Sequence, residues 1–509
     1  MTIVLAAELV VLAVGLGMVL RIGLTTPVRR ELASAPWVRL AVGVGGVALA
    51  GVGIWAAIRW PELVHLLAIA TAGLLAFAWW RARPGFGRRR GWPPGSLGIR
   101  ASVDAVGDRN YYRDQARLHG PVFKMSQFGQ PVVCMVGLAA GRELLHSQAD
   151  ALAGAPLPYN RFLPRGSLRY MTPEDHRREG AVFRAAFVGV GLAAAEATVR
   201  QRCRLILAEL SARSRQSAEG IKLTEYWERW AAEALARFLF GIGPEDPRLG
   251  VLDQARLHLN LEQAGRRWVT RTEAIFQRAE RLLTELEREA VAGSALGGLS
   301  AADPIAGDPT RLRNLFLIFR IGVGDLTSLL DWVVENLAGN PEWVTAVRGL
   351  PRTEGAPTGT QPSDLASRIV LETLRMEQSE YLYRRIVRPI TVGGYSVPAG
   401  WLLRICVQES HRDPTVFPDP DRFNPDRFVG RVYGKHEYSP FGADTHGCLG
   451  VAMVLFLGRI FVEELSHGYD VRLVRPAPPE RGSRHRHHWR PGASRQVVLT
   501  PLRPRETAP

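Results

Sequence analysis

The amino-acid sequence predicts a mainly helical α+β protein with a membrane region of three transmembrane helices before its main domain. Three observations lead to this prediction. Apolar segments occupy about 3–20, 40–58 and 63–80, amphipathic helical patterns follow from residue 111, and one cysteine lies in a glycine-rich run near residue 448. We therefore divide the chain into a membrane region with a basic juxtamembrane segment, 1–91, and one large domain, 92–509.

The three apolar segments each approach the ~20 residues that cross a bilayer core. Glu8 and His65 are their ionisable side chains, and the second segment has none. The alternative is three buried helices of a soluble domain. Three such segments in succession rarely belong to one soluble fold, so the pattern favours membrane spans.

Arginine placement predicts the orientation of these segments. Four arginines lie between the first and second segments, five follow the third within ten residues, and Arg59 alone lies between the second and third. Because positively charged loops stay on the cytoplasmic side, we expect a multi-pass membrane protein whose N-terminus lies outside and whose 92–509 domain is cytoplasmic.

Composition limits the partners and the redox compartment. The formal net charge of +15 suits anionic lipid or an acidic protein partner. The sequence lacks the basic and aromatic interleaving of nucleic-acid binders, so we predict no nucleic acid. Four cysteines in 509 residues form no disulfide framework, which fits a reducing compartment.

The main domain shows a regular series of local patterns. Helices are predicted over 111–119, 199–210, 223–240, 249–263, 268–291 and 311–337, and a helix begins at 173–178 and continues through 182–187. Strands are predicted at 122–125 and 132–136, a small-residue loop at 293–308 and a hairpin over 387–399. Asp364 is predicted to cap the helix that carries Glu372 and Arg375.

The run from Phe441 to Gly450 has the composition of a cysteine ligand loop. His446 lies two residues before Cys448, and small residues flank the cysteine. Backbone amides that approach a sulfur closely stabilise a thiolate. One thiolate without a second Cys or His at zinc spacing argues against zinc and for an axial haem ligand. A buried cysteine in a glycine-rich turn is the alternative, and the run alone leaves both open.

The same run resembles the haem-binding signature of the cytochrome P-450 family, Phe-x-x-Gly-x-[His/Arg/Lys]-x-Cys-x-Gly, with Asp444 in place of the usual first glycine. Two further blocks match that family in the expected order. They are the Glu-x-x-Arg block at Glu372 and Arg375, and the proline- and arginine-rich stretch from Asp413 to Phe428. The resemblance extends from about residue 92 to the C-terminus and is strongest over 364–465.

This resemblance implies a cytochrome P-450 fold that holds haem b. Cys448 is then the axial metal ligand, and Glu372, Arg375 and Arg427 form a structural triad behind its loop. The remaining cofactor-binding candidates, for signature or haem-propionate contacts, are Phe441, His446, Gly450, His176, Arg384 and Arg385. The family's usual partner of His176 falls on Gly180. Either Arg177, Arg178 or Arg184 substitutes for it, or these arginines form a solvated basic face.

The long helix predicted over 311–337 matches the family's I helix, which crosses the distal face of the haem. Aligned on Trp332, the usual acid–alcohol pair falls on Gly324 and Asp325, and Thr327 is turned by ~200° around the helix from position 325. We take Asp325 and Thr327 as candidates for proton delivery. Burial beneath Leu329 would disfavour the charged form of Asp325. Asp325 as a substrate anchor or a satisfied polar contact is left open.

The resemblance therefore implies a haem-thiolate monooxygenase that oxidises, by hydroxylation, a small apolar organic substrate. It would use O2 and electrons from a ferredoxin or a flavoprotein reductase, and it would be attached to the lipid bilayer. The absent threonine favours an alternative of the same fold, a peroxygenase or an O2-independent isomerase or dehydratase. A non-catalytic membrane partner protein is the second alternative.

Overall fold

The structure is a computed structural model. It describes residues 10, 12, 59–82, 87, 89–127, 130–154, 166–168, 171–216, 223–262, 268–289, 292–302, 308–378, 381–442, 446–477, 479–481, 489–492 and 495–502.

The helices, in chain order, are α1 (Pro61–Ala82), α2 (Ile99–Gly107), α3 (Tyr111–His119), α4 (Leu138–Ser147), α5 (Pro173–Val188), α6 (Leu192–Gln216), α7 (Thr224–Phe240), α8 (Pro247–Glu262), α9 (Trp268–Arg288), α10 (Ala295–Ala302), α11 (Pro309–Gly339), α12 (Pro341–Arg348), α13 (Leu365–Thr373), α14 (Val407–Ser410) and α15 (Val451–Gly468). The strands are β1 (Gly95–Ser96), β2 (Val122–Gln127), β3 (Gln130–Val136), β4 (Leu152–Gly154), β5 (Tyr381–Ile386), β6 (Ile390–Val392), β7 (Tyr395–Val397), β8 (Leu402–Cys406), β9 (Tyr469–Arg475), β10 (Glu480–Arg481), β11 (Trp489–Arg490) and β12 (Gln496–Pro501).

The chain forms two compact units, and the first comprises residues 1–111 and 124–131. In it the turn after Pro93 and Pro94 leads into β1, which pairs with β2 at Gly95 and Lys124. Gly95 has φ +106°, and a Cβ there would stand 2.3 Å from the Lys124 carbonyl oxygen. Only glycine fits this approach, so the stiff Pro-Pro turn ends in a close backbone contact.

The third predicted membrane segment, 63–80, lies within α1, while the first two lie outside the described residues apart from 10 and 12. Among the residues that the structure describes, no single helix combines the length and apolar character of a membrane span. Two consecutive helices that meet at a bend, Glu174–Val188 and Leu192–Ser214, are long and apolar enough for a membrane span when taken together, by length and composition only. The prediction of three transmembrane helices is therefore not supported by the described part of the chain.

The second unit comprises residues 112–123 and 132–509. Its sheet contains β3, β8, β5 and β4 in that order, with β8 parallel to β3 and antiparallel to β5. The predicted hairpin is present as β6 and β7, which pair from Ile390 to Val397 around a glycine turn. The predicted division at residue 91 does not coincide with these units and stays a prediction.

Helix α11 runs through the core of the second unit, as the sequence predicts. Asp308 caps its first turn, accepting hydrogen bonds from the backbone of Thr310 and Arg311. Its middle packs closely on α7, because Gly322 leaves only 3.1 Å between a built Cβ and Leu235. This contact holds the middle of α11 against α7 on the face that also carries Ile318 and Asp325, since Gly322 is spaced four and three residues from them.

The predicted loop at 293–308 is wrong in its first half, because α10 occupies Ala295–Ala302. A Cβ built at Gly298 would lie 3.0 Å from the Cα of Ala186 in α5. The small residues that suggest a loop in the sequence instead allow two helix backbones to approach closely. The predicted cap of α13 is confirmed, since Asp364 Oδ1 accepts from the Ser367 amide at 2.8 Å.

Candidate active site

Cys448 lies in a tight loop immediately before α15. Its sulfur-bearing side chain is exposed, and its amide donates to the Phe441 carbonyl at 2.8 Å. Gly442 turns the chain with φ +71°, and Ser439 Oγ donates to the Gly442 carbonyl at 2.8 Å. The nearest atom to a Cβ built at Gly450 is Cys448 Sγ, at 4.0 Å. The backbone therefore presents one accessible sulfur without crowding from its neighbours.

Buried His411 supports this loop from behind, although no sequence motif singles it out. Its Nε2 accepts from the Ser439 amide at 2.9 Å. Burial, and then the charge of Arg375, lower its pKa from 6.5 to about 3. The ring is therefore neutral near pH 7 and carries its proton on Nδ1, since Nε2 acts as the acceptor. His411 thus links the ligand loop to the arginine behind it.

The structure brings Glu372, Arg375 and Arg427 together. Arg375 donates to both oxygens of Glu372, from Nε to Oε2 at 2.8 Å and from Nη2 to Oε1 at 2.9 Å. Arg427 Nε donates to Glu372 Oε1 at 2.9 Å. Arg375 also donates to the carbonyls of His411 and Pro420 at 2.8 Å. A wholly buried carboxylate is thus compensated by two arginines, as buried charges require, and the cluster fixes the chain that leads to Ser439.

Imidazole and guanidinium groups from three segments converge beside the cysteine loop. The rings of His176 in α5 and His446 lie 4.1 Å apart. Burial, followed by the charges of Arg184 and Arg384, lowers the pKa of His176. The positive charges of Arg184 and Arg384 beside these rings favour an anionic group among them.

Gly180 explains how Arg184 reaches this cluster. A Cβ built at Gly180 would lie 3.2 Å from Arg184 Nη1 and 3.4 Å from His176 Cε1. The guanidinium of Arg184 therefore lies over the glycine and beside the histidine. Of the three arginines considered as substitutes, Arg178 binds Asp175 and Glu179 instead, and the charge of Arg184 acts on His176.

The two predicted arginines of β5 point to opposite faces of the sheet, because successive strand residues alternate. Arg384 acts on His176, which places it on the side of the cationic cluster, and it donates to the Tyr383 carbonyl at 2.8 Å. Arg385 lies on the other face, where its Nε is buried with no hydrogen-bond partner in the part of the chain that the structure describes.

The middle of α11 has one accessible stripe. Ile321 is 45% exposed, and Ile318 and Asp325 are half-buried. These positions, spaced by three and four, lie on one face of a helix. Thr327 is fully buried and donates to the Val323 carbonyl at 2.6 Å. Asp325 is therefore on the accessible side of α11, and Thr327 is on the packed side. Asp325 is also less buried than the sequence predicts from its apolar neighbours.

Comparison with known proteins gives one family throughout. The family model of cytochrome P450 matches residues 363–464. Abscisic acid 8'-hydroxylase 2 of Arabidopsis thaliana is 24% identical over 415 residues, which cover 75% of this chain and 85% of that protein. Abscisic acid 8'-hydroxylase 2 of Oryza sativa subsp. indica is 24% identical over 460 residues, 80% of this chain and 88% of that protein.

Solved structures show the same fold. The retinoic acid-bound cyanobacterial CYP120A1 superposes with a TM-score of 0.67 at 19% identity, covering 81% of this chain and 99% of that one. A zebrafish cytochrome P450 solved with abiraterone gives a TM-score of 0.61 at 20% identity, covering 77% and 99%.

The family model over 363–464, the hydroxylase relatives and the shared fold support a cytochrome P450, an oxidoreductase of the monooxygenase type. The cofactor of this family is haem b. The described residues fit that group. They offer one accessible sulfur, the ligand type of such haems, and beside it imidazole and guanidinium donors that suit carboxylates.

Proposed function

We propose that this chain hydroxylates an apolar organic substrate, using O2 and two electrons from a protein redox partner. One oxygen atom enters a C–H bond of the substrate, and the other leaves as water after two protons are taken up. The observation that carries the proposal is the accessible Cys448 sulfur on a loop fixed by His411 and the Glu372 cluster. Thiolate-bound haem supplies O–O cleavage.

The geometry of the described residues supports a set of proposed binding roles. We assign the metal-ligand role to Cys448, and propionate contacts to His176, Arg184, Arg384 and His446, whose side chains converge beside it. In the ligand loop, Phe441 holds the Cys448 amide and Gly450 leaves space next to its sulfur. Arg385, on the opposite face of β5, has a weaker claim to the propionates than Arg384.

On the distal side, we assign proton delivery to Asp325. Its carboxyl lies on the accessible stripe of α11, where a group can reach a bound substrate directly or through water. Thr327 contributes less to this assignment, since its hydroxyl is buried against the Val323 carbonyl.

A peroxide-using peroxygenase is the second candidate. The same buried Thr327 favours it, because its hydroxyl is bound to the Val323 carbonyl and lies away from the accessible stripe. An isomerase or dehydratase would share that feature. A non-catalytic membrane partner protein is disfavoured by the intact ligand loop and triad.

We further propose that α1 lies in a bilayer, with the catalytic domain in the cytoplasm. Large apolar side chains of α1 are exposed, including Leu66 at 65% and Leu74 at 68%. Such a surface is unfavourable in water, and the arginines around residue 89 suit the cytoplasmic face. The electron donor would be a ferredoxin or a flavoprotein reductase on that side.

The test begins with the reduced protein under carbon monoxide, which should give the red-shifted Soret band of thiolate-bound haem. That band should vanish in Cys448→Ala. Turnover is then measured with a ferredoxin and its reductase, a flavoprotein reductase, or peroxide alone. Abscisic acid and retinoic acid, which the relatives' names carry, are the first substrates to try. A retained band in Cys448→Ala would refute the ligand assignment, and turnover with peroxide alone would select the peroxygenase.

A further inference from the structure

Arg490, near the C-terminus, is a buried guanidinium bound to the distal helix. It lies in β11 and donates from Nη2 to the Gly324 carbonyl of α11 at 3.0 Å. One residue earlier, the Trp489 carbonyl accepts from Trp332 Nε1 at 2.9 Å. Strand β11 is thereby attached to α11 at two points, and one of them, Gly324, is adjacent to Asp325.

Acidic groups surround this guanidinium. Arg490 Nη1 lies 4.0 Å from Asp331 Oδ2, and Arg495 Nη2 lies 2.6 Å from Asp331 Oδ1. Burial lowers the pKa of Arg490, whereas the negative charges of Asp331, Glu228 and Asp325 act to raise it. Asp325 therefore belongs to the electrostatic surroundings of Arg490.

The helix geometry separates the two neighbouring faces. Gly324, Ser328, Asp331 and Glu335 recur every three or four residues and share the face that meets Arg490 and Arg495. Asp325 is turned by about 100° from Gly324, onto the accessible stripe. Arg490 thus holds the helix from the side and does not occupy the stripe itself.

The bond from Arg490 is distinct from those that helix side chains make. A hydroxyl on α11 donates to the carbonyl four residues earlier, as Thr327 does to Val323, and an ionised aspartate at position 325 donates none. Arg490 donates to the Gly324 carbonyl from another segment. Within the described chain, Ser328 Oγ and Arg490 Nε are buried without a hydrogen-bond partner, which leaves polar sites of the kind that buried water fills.

We propose that Arg490 is a positioning residue for Asp325, which fixes the turn of α11 at Gly324 and orients the Asp325 carboxyl by its charge. This inference rests on the proposed function, in which Asp325 delivers protons at the distal side.

The test is a double-mutant cycle between Arg490→Met and Asp325→Asn. The first readout is the infrared CO stretch of the reduced, CO-bound protein, because that frequency follows the electric field at the distal side and needs no turnover. Each single variant should shift the band, and Arg490→Met should add no shift in the Asp325→Asn background. The second readout is reductant-driven product formation, which Arg490→Met should lower about 10- to 100-fold, the scale for partners that orient a functional group.

Arg495→Met is the matched control. It removes a guanidinium of similar burial from the same segment and the same partner, Asp331, but has no hydrogen bond to Gly324. Its CO stretch should match that of the unmodified protein. If Arg490→Met does not bind haem, Arg490→Lys is used, which keeps the charge and loses the planar fork.

Three results for the CO stretch would each overturn the role of Arg490 through Asp325. They are shifts of the two single variants that add in the double variant, no shift in Arg490→Met, and equal shifts in the Arg490 and Arg495 variants. Absence of a thiolate CO band or of product from the unmodified protein is a separate result, which would overturn the proposed function.

Discussion

The guanidinium of Arg184 lies over Gly180, with Nη1 only 3.2 Å from where a Cβ at position 180 would stand. The two positions are one helical turn apart in α5, so the guanidinium of the residue four further on occupies the space beside His176 that a side chain at position 180 would enter. Their relationship is reciprocal, since a side chain at 180 and the guanidinium of Arg184 cannot both occupy this space.

This reciprocity gives the first prediction, which concerns haem retention. Arg184→Ala should release haem to an acceptor protein faster, because one cationic partner of the propionates is lost. Gly180→Arg alone should also weaken retention by crowding Arg184. The double variant should recover part of the loss, since the new arginine enters the vacated space. Arg178→Ala, at an exposed site paired with Asp175, serves as the control. A double variant worse than both singles would contradict the exchange.

The second prediction uses the buried neutral His411. Because its pKa falls from 6.5 to about 3 on folding, the unfolded chain binds this proton first as the pH drops. Stability should therefore decrease below pH 6.5, at up to about 1.4 kcal/mol per pH unit for one proton. His411→Gln keeps an acceptor for Ser439 and should lose that part of the dependence in urea unfolding between pH 7 and 5.

Exposed His436→Gln is the control for His411→Gln, and it should unfold with the pH dependence of the unmodified protein. Parallel curves for His411→Gln and the unmodified protein would show that His411 titrates normally.

Membrane orientation is the subject of the third prediction. Arg89→Cys should react with an impermeant maleimide only after cells are permeabilised, and Arg59→Cys should react in intact cells, because the arginine asymmetry places them on opposite sides. The unsubstituted protein gives the background of its own cysteines. Labelling of Arg89→Cys in intact cells would reverse the orientation.

The parts of this molecule that sequence predicts are those with a local signal. The span of α11 and the cap at Asp364 follow from periodicity and capping chemistry, and the cysteine loop follows from a contiguous motif. The sequence did not predict α10, because small residues are equally common in loops and in helices that pack closely together. Only packing against Ala186 distinguishes the two.

The supporting contacts of the site could not be predicted because they join distant parts of the chain. Arg490 meets Gly324 across 166 residues and His411 meets Ser439 across 28, and neither pair leaves a periodic pattern. Arg184 had a visible signal, the glycine at 180, but three arginines were equally placed until the local ion pairs of Arg178 removed one.

The fourth prediction concerns Asp325 itself. Asp325→Asn keeps the shape of the side chain and removes its ability to take up and release a proton. Product formation driven by reductant and O2 should fall about 100-fold or more, the usual contribution of a positioned acid or base. Turnover driven by peroxide should be spared, because peroxide brings its own protons and electrons.

Thr327→Val is the matched control for Asp325→Asn, and it should leave the ratio of the two activities unchanged, because its hydroxyl is buried against Val323. Equal losses of both activities in Asp325→Asn would indicate a role in substrate binding or haem geometry. Full activity in both assays would show that Asp325 is only a polar contact on the stripe beside Ile321. A split between the two assays is the result that a proton-delivery role requires, since only the O2-driven reaction depends on protons that the protein must bring to the distal side.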